Sequence, residues 1–152
     1  MNVLFVCLGN ICRSPTAEAV LRKLTSEQAL DVKIDSAGTA AYHIGKSPDA
    51  RSQAAANMRG INMSGLKARQ ANVNDFYEFD YIFAMDESNY QDLLALKPSN
   101  ASAQLVLFLK EYGTLGFNNV PDPYYGGDQG FEEVLDLLED ACEAWINRSY
   151  NK

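Results

Sequence analysis

Short apolar runs alternate along the chain with segments whose apolar residues recur at helical spacing. The apolar runs cover residues 3–7, 81–85 and 105–109, and each is short enough to be a strand, whereas residues 32–35 alternate between apolar and charged side chains as a strand does. The segments at 51–58, 89–96 and 131–146 predict helices, and another helix is expected directly after the first run. This order predicts an α/β fold in which helices cover both faces of a parallel sheet.

Capping residues place some of the predicted helix ends. Ser14 is the expected N-cap of the first helix, and Pro15 then takes its first position. Gly60 is expected near the end of the helix at 51–58, and Pro98 ends the helix at 89–96. Ligands of parallel α/β sheets bind beyond the carboxyl ends of the strands, so the segment 7–14 is the predicted binding loop.

The amino-acid composition limits which kinds of protein this chain can be. The 152 residues, of which 47% are hydrophobic, suit one domain (1–152) whose core needs neither disulfides nor a metal. The net charge of −7 argues against a nucleic-acid partner. The apolar start is short and lacks a basic segment, and no run is long enough for a membrane span. Three cysteines form no secreted disulfide framework, so we expect a reducing, cytoplasmic location.

The segment Cys7-Leu8-Gly9-Asn10-Ile11-Cys12-Arg13-Ser14 has the chemistry of an anion cradle. A thiol leaves a buried strand, and the tight loop after it can turn successive backbone N–H groups inward. The loop ends at a helix N-terminus, whose dipole attracts negative charge. Arg13 adds a planar fork for two phosphate oxygens, and the same field favours the thiolate of Cys7, to which Ser14 can donate a hydrogen bond.

A second segment, at 120–127, supplies a candidate general acid. Asp122 stands between two prolines that stiffen the chain, and the glycines beyond it indicate a turn. Tyr124 and Tyr125 follow and can stack on a flat phenyl ring. Taken alone, this segment is more typical of a surface turn, and only the cysteine loop favours catalysis. Cys142 is expected in the core, and His43 in a surface loop.

Residues 6–18 closely resemble the phosphate loop of the low-molecular-weight protein tyrosine phosphatase family. The similarity continues, in order, at residues 35–39, 47–49, 68–70, 79–82, 85–89 and 122–126. It implies a three-layer α/β/α fold with a four-stranded parallel sheet, and a hydrolase that removes phosphate from tyrosine through a phosphocysteine intermediate. It also implies that no metal or other cofactor is needed.

The resemblance implies a role for each matched residue. Cys7 is the nucleophile, Arg13 the phosphate clamp and Asp122 the general acid. The substrate-binding residues are Leu8, Gly9, Asn10, Ile11, Cys12, Ser14, Tyr42, Tyr124 and Tyr125. Ser36 supports the loop together with Asn10 and Ser14, and Asp86 orients Arg13. Cys12 can form a reversible disulfide with Cys7 that protects the nucleophile from further oxidation.

One position departs from the family pattern. Many relatives have a histidine just before the stretch 68–70, where it joins the network that supports the loop, but this chain has Leu66. The sequence therefore leaves open how the side chains of Asn10 and Ser14 are held.

Other functions on a similar loop are open as alternatives. Arsenate reduction needs a further thiol that resolves an adduct, and only Cys142 lies outside the loop. A phosphoarginine phosphatase has threonine where this chain has Ile11, and a non-catalytic anion-binding module would not need Asp122. One histidine and three cysteines offer no convincing thiol-protease dyad or zinc site.

The predicted partners are tyrosine-phosphorylated proteins. Residues 31–49 and 63–70 resemble bacterial members of the family, which implies an autophosphorylated bacterial tyrosine kinase as substrate. No nucleic acid or membrane is expected as a partner, and the chain is expected to be a monomer or a weak homodimer.

Overall fold

The computed structural model describes residues 1–124 and 127–151. The strands are β1 (Asn2–Cys7), β2 (Lys33–Gly38), β3 (Tyr81–Ala84) and β4 (Gln104–Leu107). The helices are α1 (Arg13–Glu27), α2 (Ala50–Asn57), α3 (Asp75–Glu78), α4 (Glu87–Leu96), α5 (Phe108–Tyr112) and α6 (Asp128–Tyr150). None of the helices in the described ranges combines the length and the hydropathy that a membrane span requires.

The strands form one parallel sheet in the order β2-β1-β3-β4. Alternate side chains of β1 enter two separate cores, because successive residues of a strand point to opposite faces. Val3 and Phe5 pack in a core with residues of α1, α5 and α6. Leu4 and Val6 pack on the opposite face against α3 and α4. The predicted α/β architecture, with a four-stranded parallel sheet between helices, is confirmed.

The start of α1 differs from its prediction. The helix begins at Arg13 with Cys12 as N-cap, and no side chain caps it, so Ser14 and Pro15 lie inside the first turn. Ser14 fails as a cap because its hydroxyl is engaged by Cys7 and Asn10 on the other side of the loop. Pro15 is tolerated there because first-turn N–H groups have no partner within their own helix.

The fourth strand is shorter than predicted. β4 ends at Leu107, and Phe108 and Leu109 open the short helix α5. Both side chains are buried, and burial alone does not distinguish a strand residue from a helical one. Helix α3 was not predicted, because four residues are too few to show a period. Gly60, predicted near the end of this helix, lies just after α2 and has a positive φ of 72°, a conformation that glycine adopts readily after a helix.

Candidate active site

The loop after β1 lies at the carboxyl end of a strand that has a neighbouring strand on each side in the sheet. Cys7 is the last residue of β1 and is 2% exposed. The loop is fixed from outside by its carbonyl groups: those of Cys7, Leu8 and Ile11 accept hydrogen bonds of 2.8 to 3.0 Å from Thr39, Ala40 and Asp49. With its carbonyls engaged outward, the loop can turn its N–H groups inward, as the Asn10 N–H does, at 3.3 Å from the Cys7 sulfur.

Asn10 holds the loop in its shape. Its φ is 57°, in the left-handed region that asparagine tolerates better than most residues. Its side-chain NH₂ donates to Ser14 Oγ at 2.8 Å and to Ser36 Oγ at 2.9 Å. Its Oδ1 accepts the backbone N–H of Arg69 at 3.0 Å. The side chain thereby connects the loop to α1, β2 and the segment before α3.

The Asn10 side chain is held in place although Leu66 stands where many relatives have a histidine. Leu66 packs on the edge of the core, and the Asn10 carbonyl receives a backbone N–H of Arg69 instead of an imidazole. Arg69 is itself fixed by ion pairs of 3.0 Å to Asp35 and Asp75. The network is therefore satisfied without the histidine.

The Cys7 sulfur lies where negative charge is favoured. Ser14 Oγ is 3.0 Å away, and the first turn of α1 follows the loop directly. The neighbouring Cys12 is in a different state, because burial raises the pKa of its thiol to about 12. Cys12 is thus a protonated thiol at neutral pH. Cys142 lies fully buried in α6, where burial likewise raises the pKa of its thiol.

Arg13 brings a buried positive charge beside the sulfur. Its Nη1 donates to Asp86 Oδ2 at 2.6 Å and to the Val120 carbonyl at 3.2 Å. Burial alone would lower the pKa of Arg13, but the charges of Cys7 and Asp86 outweigh it and raise that pKa. The guanidinium therefore stays charged, and its two hydrogen bonds hold it in a fixed direction.

Asp122 approaches the site from the other end of the chain. Its Oδ2 is 4.0 Å from Arg13 Nη2, and its side chain is 42% exposed. Its Oδ1 accepts the backbone N–H of Tyr124 at 2.9 Å, which fixes one side of the carboxylate. The partly exposed position suits a group that must exchange protons with a substrate and with water.

A pocket of about 310 Å³ opens above the Cys7 sulfur. It is lined by Cys7, Leu8, Gly9, Ile11, Cys12, Arg13, Tyr42, His43, Asp122 and Tyr124. Cys7 and Arg13 are its buried members, whereas Leu8, Tyr42 and Tyr124 are exposed and, with Ile11, give it apolar surface. The predicted residue Tyr125 lies outside the described residues. Asn10, Ser14 and Ser36 support the loop from beneath, and Asp86 supports Arg13.

His43 is a pocket residue that the sequence did not reveal. It lies in a loop, as expected, but it is half-buried and lines the cavity. A Cβ atom added at Gly9 would lie 2.9 Å from the imidazole Cδ2, so the ring packs directly against the phosphate loop. Only the path of the chain between β2 and α2 brings it there, and no local pattern signals that path.

Within the described ranges, no group of three or more His, Cys, Asp or Glu side chains is placed to hold a metal ion. The pocket combines a sulfur, a guanidinium and a carboxylate around one space that can receive a tetrahedral anion.

Comparison with known proteins agrees with this geometry. The family model of the low molecular weight phosphotyrosine protein phosphatases matches residues 2–152. A putative low molecular weight protein-tyrosine-phosphatase of Synechocystis sp. is 50% identical over 145 residues, which cover 93% of this chain and 92% of the relative.

Solved structures show the same likeness. A protein tyrosine phosphatase of Entamoeba histolytica superposes with a TM-score of 0.93 at 45% identity, over 97% of this chain and 96% of that one. A Drosophila arginine phosphatase superposes with a TM-score of 0.91 at 36% identity, over 99% of this chain and 98% of that one. The chain belongs to the low molecular weight phosphotyrosine protein phosphatase family and is a protein tyrosine phosphatase.

Proposed function

We propose that this chain hydrolyses phosphotyrosine with Cys7 as nucleophile, Arg13 as phosphate clamp and Asp122 as general acid and base. The observation that carries this assignment is the shared pocket, in which the sulfur, the guanidinium and the carboxylate face one space. Asp86 and the Asn10 network keep the first two groups in place.

The first step transfers the phosphoryl group to sulfur. The loop N–H groups and Arg13 bind the phosphate oxygens and stabilise the charge that spreads over them in the transition state. The Cys7 thiolate attacks phosphorus opposite the tyrosyl oxygen, so a P–S bond forms as the P–O bond breaks. Asp122 gives its proton to the departing oxygen, which leaves as neutral tyrosine.

The second step returns the enzyme to its starting state. The ionised Asp122 takes a proton from a water molecule as that water attacks phosphorus. The P–S bond breaks and inorganic phosphate is released. The Ser14 hydroxyl, 3.0 Å from the sulfur, donates a hydrogen bond to the departing thiolate.

The walls of the pocket favour an aromatic substrate. Ile11, Leu8, Tyr42 and Tyr124 present apolar surface to the flat ring of phosphotyrosine. The apolar Ile11 offers no hydrogen-bonding group to a guanidinium, which disfavours phosphoarginine. Arsenate reduction is disfavoured because Cys142, the cysteine outside the loop, is fully buried in α6.

The experiment is a comparison of turnover on phosphotyrosine, phosphoserine and phosphoarginine peptides with a chelator present. We expect turnover of phosphotyrosine alone, and Cys7→Ser should abolish it while inorganic phosphate still binds in the pocket. Cys142→Ala is the matched control and should keep its activity, because that thiol is remote in the core. Retained turnover in Cys7→Ser would overturn the nucleophile assignment, and faster turnover of phosphoarginine would overturn the substrate class.

The physiological partner belongs to this proposal as well. The likeness of residues 31–49 and 63–70 to bacterial members supports an autophosphorylated bacterial tyrosine kinase as substrate. We also propose that residues 1–152 form a single domain, because both hydrophobic cores pack on the same sheet. A cytoplasmic location and a monomer or weak homodimer stay predictions.

A further inference from the structure

Glu18 is a buried carboxylate that the proposed chemistry does not use. It lies in α1 and is 3% exposed. Ser36 Oγ donates to its Oε1 at 2.7 Å, and Arg22 Nη2 donates to its Oε2. Arg22 also donates to the Ile34 carbonyl at 3.0 Å, which anchors the guanidinium against β2. A carboxylate removed from water in this way needs a reason, because burial of a charge is costly.

The directions of the hydrogen bonds connect Glu18 to the reactive sulfur. The backbone N–H of Arg69 identifies which end of the Asn10 amide is oxygen, so the other end is the NH₂ group. That NH₂ donates both hydrogens, one to the Ser36 hydroxyl and one to the Ser14 hydroxyl.

Each of these hydroxyls has one hydrogen, and it must go to an acceptor other than Asn10. The Ser36 hydrogen goes to Glu18, and the Ser14 hydrogen can reach the Cys7 sulfur at 3.0 Å or the Ala37 carbonyl at 3.3 Å. A Cys7 thiolate is the closer and the charged acceptor. The network therefore has an anion at each end, and every hydrogen between them points outward from Asn10.

We propose that Glu18 is a positioning residue that sets the direction of this hydrogen-bond network and so keeps the Ser14 hydroxyl donating to the Cys7 thiolate. An ionised carboxylate can only accept, so it holds the Ser36 hydrogen away from Asn10. Asn10 can then donate to both hydroxyls at once. The inference rests on the proposed role of Cys7 as nucleophile.

The charges around Glu18 decide whether it stays an acceptor. On balance the pKa of Glu18 is raised, because burial and the Asp35 charge outweigh the Ser36 hydrogen bond and the Arg22 charge, which lower it. Arg22 is thus the neighbouring cation that opposes the effect of burial and favours the ionised carboxylate.

Replacement of Glu18 by glutamine should reverse the direction of the hydrogen bond between residue 18 and Ser36. Arg22 can only donate, so it draws the single amide oxygen of Gln toward itself and leaves the amide NH₂ facing Ser36. The Ser36 oxygen then receives a hydrogen from residue 18 as well as one from Asn10, and its own hydrogen has lost the carboxylate that accepted it. A buried hydroxyl without an acceptor is costly, so Ser36 turns to regain one and displaces Asn10. Ser14 is then no longer compelled to donate to Cys7.

The test measures the rate at which iodoacetamide alkylates Cys7 across pH, without substrate, together with the acid side of the kcat/KM profile. Glu18→Gln should slow alkylation at mildly acidic pH by about tenfold, the effect of one lost hydrogen bond to a charged sulfur. Glu27→Gln, an exposed change in the same helix, should change nothing. The added Arg22→Met should recover part of the loss, because the amide oxygen can then turn back to Ser36.

Ser36→Ala supplies a second route if Glu18→Gln folds poorly. It should slow alkylation similarly, and the double variant Ser36→Ala/Glu18→Gln should be no slower than Ser36→Ala alone. An alkylation profile unchanged in Glu18→Gln, or a loss that Arg22→Met does not reduce, would overturn the proposal. Because alkylation reads the sulfur directly, a failure here is distinct from retained turnover in Cys7→Ser, which would overturn the proposed mechanism.

Discussion

The Asp86 carboxylate lies 2.6 Å from Nη1 of Arg13 and also caps the helix that begins beside it. Its Oδ2 accepts from the guanidinium, while its Oδ1 accepts the backbone N–H of Asn89 at 2.7 Å. The Asn89 side chain accepts the Asp86 N–H in return. One residue therefore fixes both the start of α4 and the direction of the phosphate clamp.

Replacement of Asp86 by asparagine separates these two tasks. Asparagine is a good N-cap, so α4 and the melting temperature should change little. The clamp loses its charged partner, so kcat/KM for an aryl phosphate should fall by about tenfold, and phosphate should inhibit more weakly. Asp92→Asn, an exposed change in the same helix, is the control. Unchanged kinetics in Asp86→Asn would show that Val120 alone orients Arg13.

Replacement of Asp122 by asparagine should affect substrates unequally. A tyrosine leaving group needs a proton, so its rate of release should fall by about 10² to 10⁴. An aryl phosphate with an acidic phenol leaves without help, and its first step should be slowed much less. The single-turnover rate of Cys7 phosphorylation, measured with aryl phosphates whose phenols differ in acidity, shows how the loss depends on the leaving group. Equal losses across the series would remove Asp122 from the role of acid.

Peroxide should inactivate the enzyme reversibly if Cys7 and Cys12 pair. Peroxide oxidises the Cys7 thiolate to sulfenic acid, and the Cys12 thiol then displaces water to form the disulfide. Activity should return on reduction with dithiothreitol. Cys12→Ser should be inactivated as readily, but its loss should become permanent, because further peroxide oxidises the untrapped sulfenic acid to a sulfinic acid that dithiothreitol does not reduce. Equal recovery in both proteins would dismiss the pairing.

Arg51 joins the two sides of the pocket. Its guanidinium pairs with Asp49 at 3.1 Å and lies over the rings of Tyr124 and Phe131, at 5.4 and 4.8 Å from their centroids. The Asp49 N–H donates to the Ile11 carbonyl of the phosphate loop, and the backbone N–H of Tyr124 donates to Asp122 Oδ1. Arg51 thus connects the loop to the segment that contains the proposed acid.

Arg51→Met should lower kcat by about threefold, the scale of an exposed cation–π contact, because Asp122 is held less firmly. Inhibition by phosphate should stay the same, since the loop itself is intact. Arg148→Met removes a similar contact over Tyr112, far from the pocket, and is the matched control. If both variants behave alike, the contact serves stability only.

The sequence predicts elements better than it predicts connections between them. Apolar runs locate β1 and β3 because buried parallel strands show that pattern, and alternation of apolar and charged residues locates β2. The start of α1 was predicted wrongly because the Ser14 hydroxyl is used across the loop, and a cap rule reads only neighbours. His43 and Glu18 escaped notice for the same reason. Their partners are Gly9 and Ser36, and the fold, not the local sequence, brings these side chains together.

The inner position of β1 has a consequence for inactivation by heat. β1 has hydrogen-bonded neighbours on both sides, β2 and β3, over most of its length. The strand that ends in Cys7 therefore cannot fray at a sheet edge, and it separates only when the whole sheet opens. Thermal loss of turnover should accordingly superimpose on the loss of far-ultraviolet circular dichroism, with no temperature at which the fold survives and the sulfur has become an ordinary thiol.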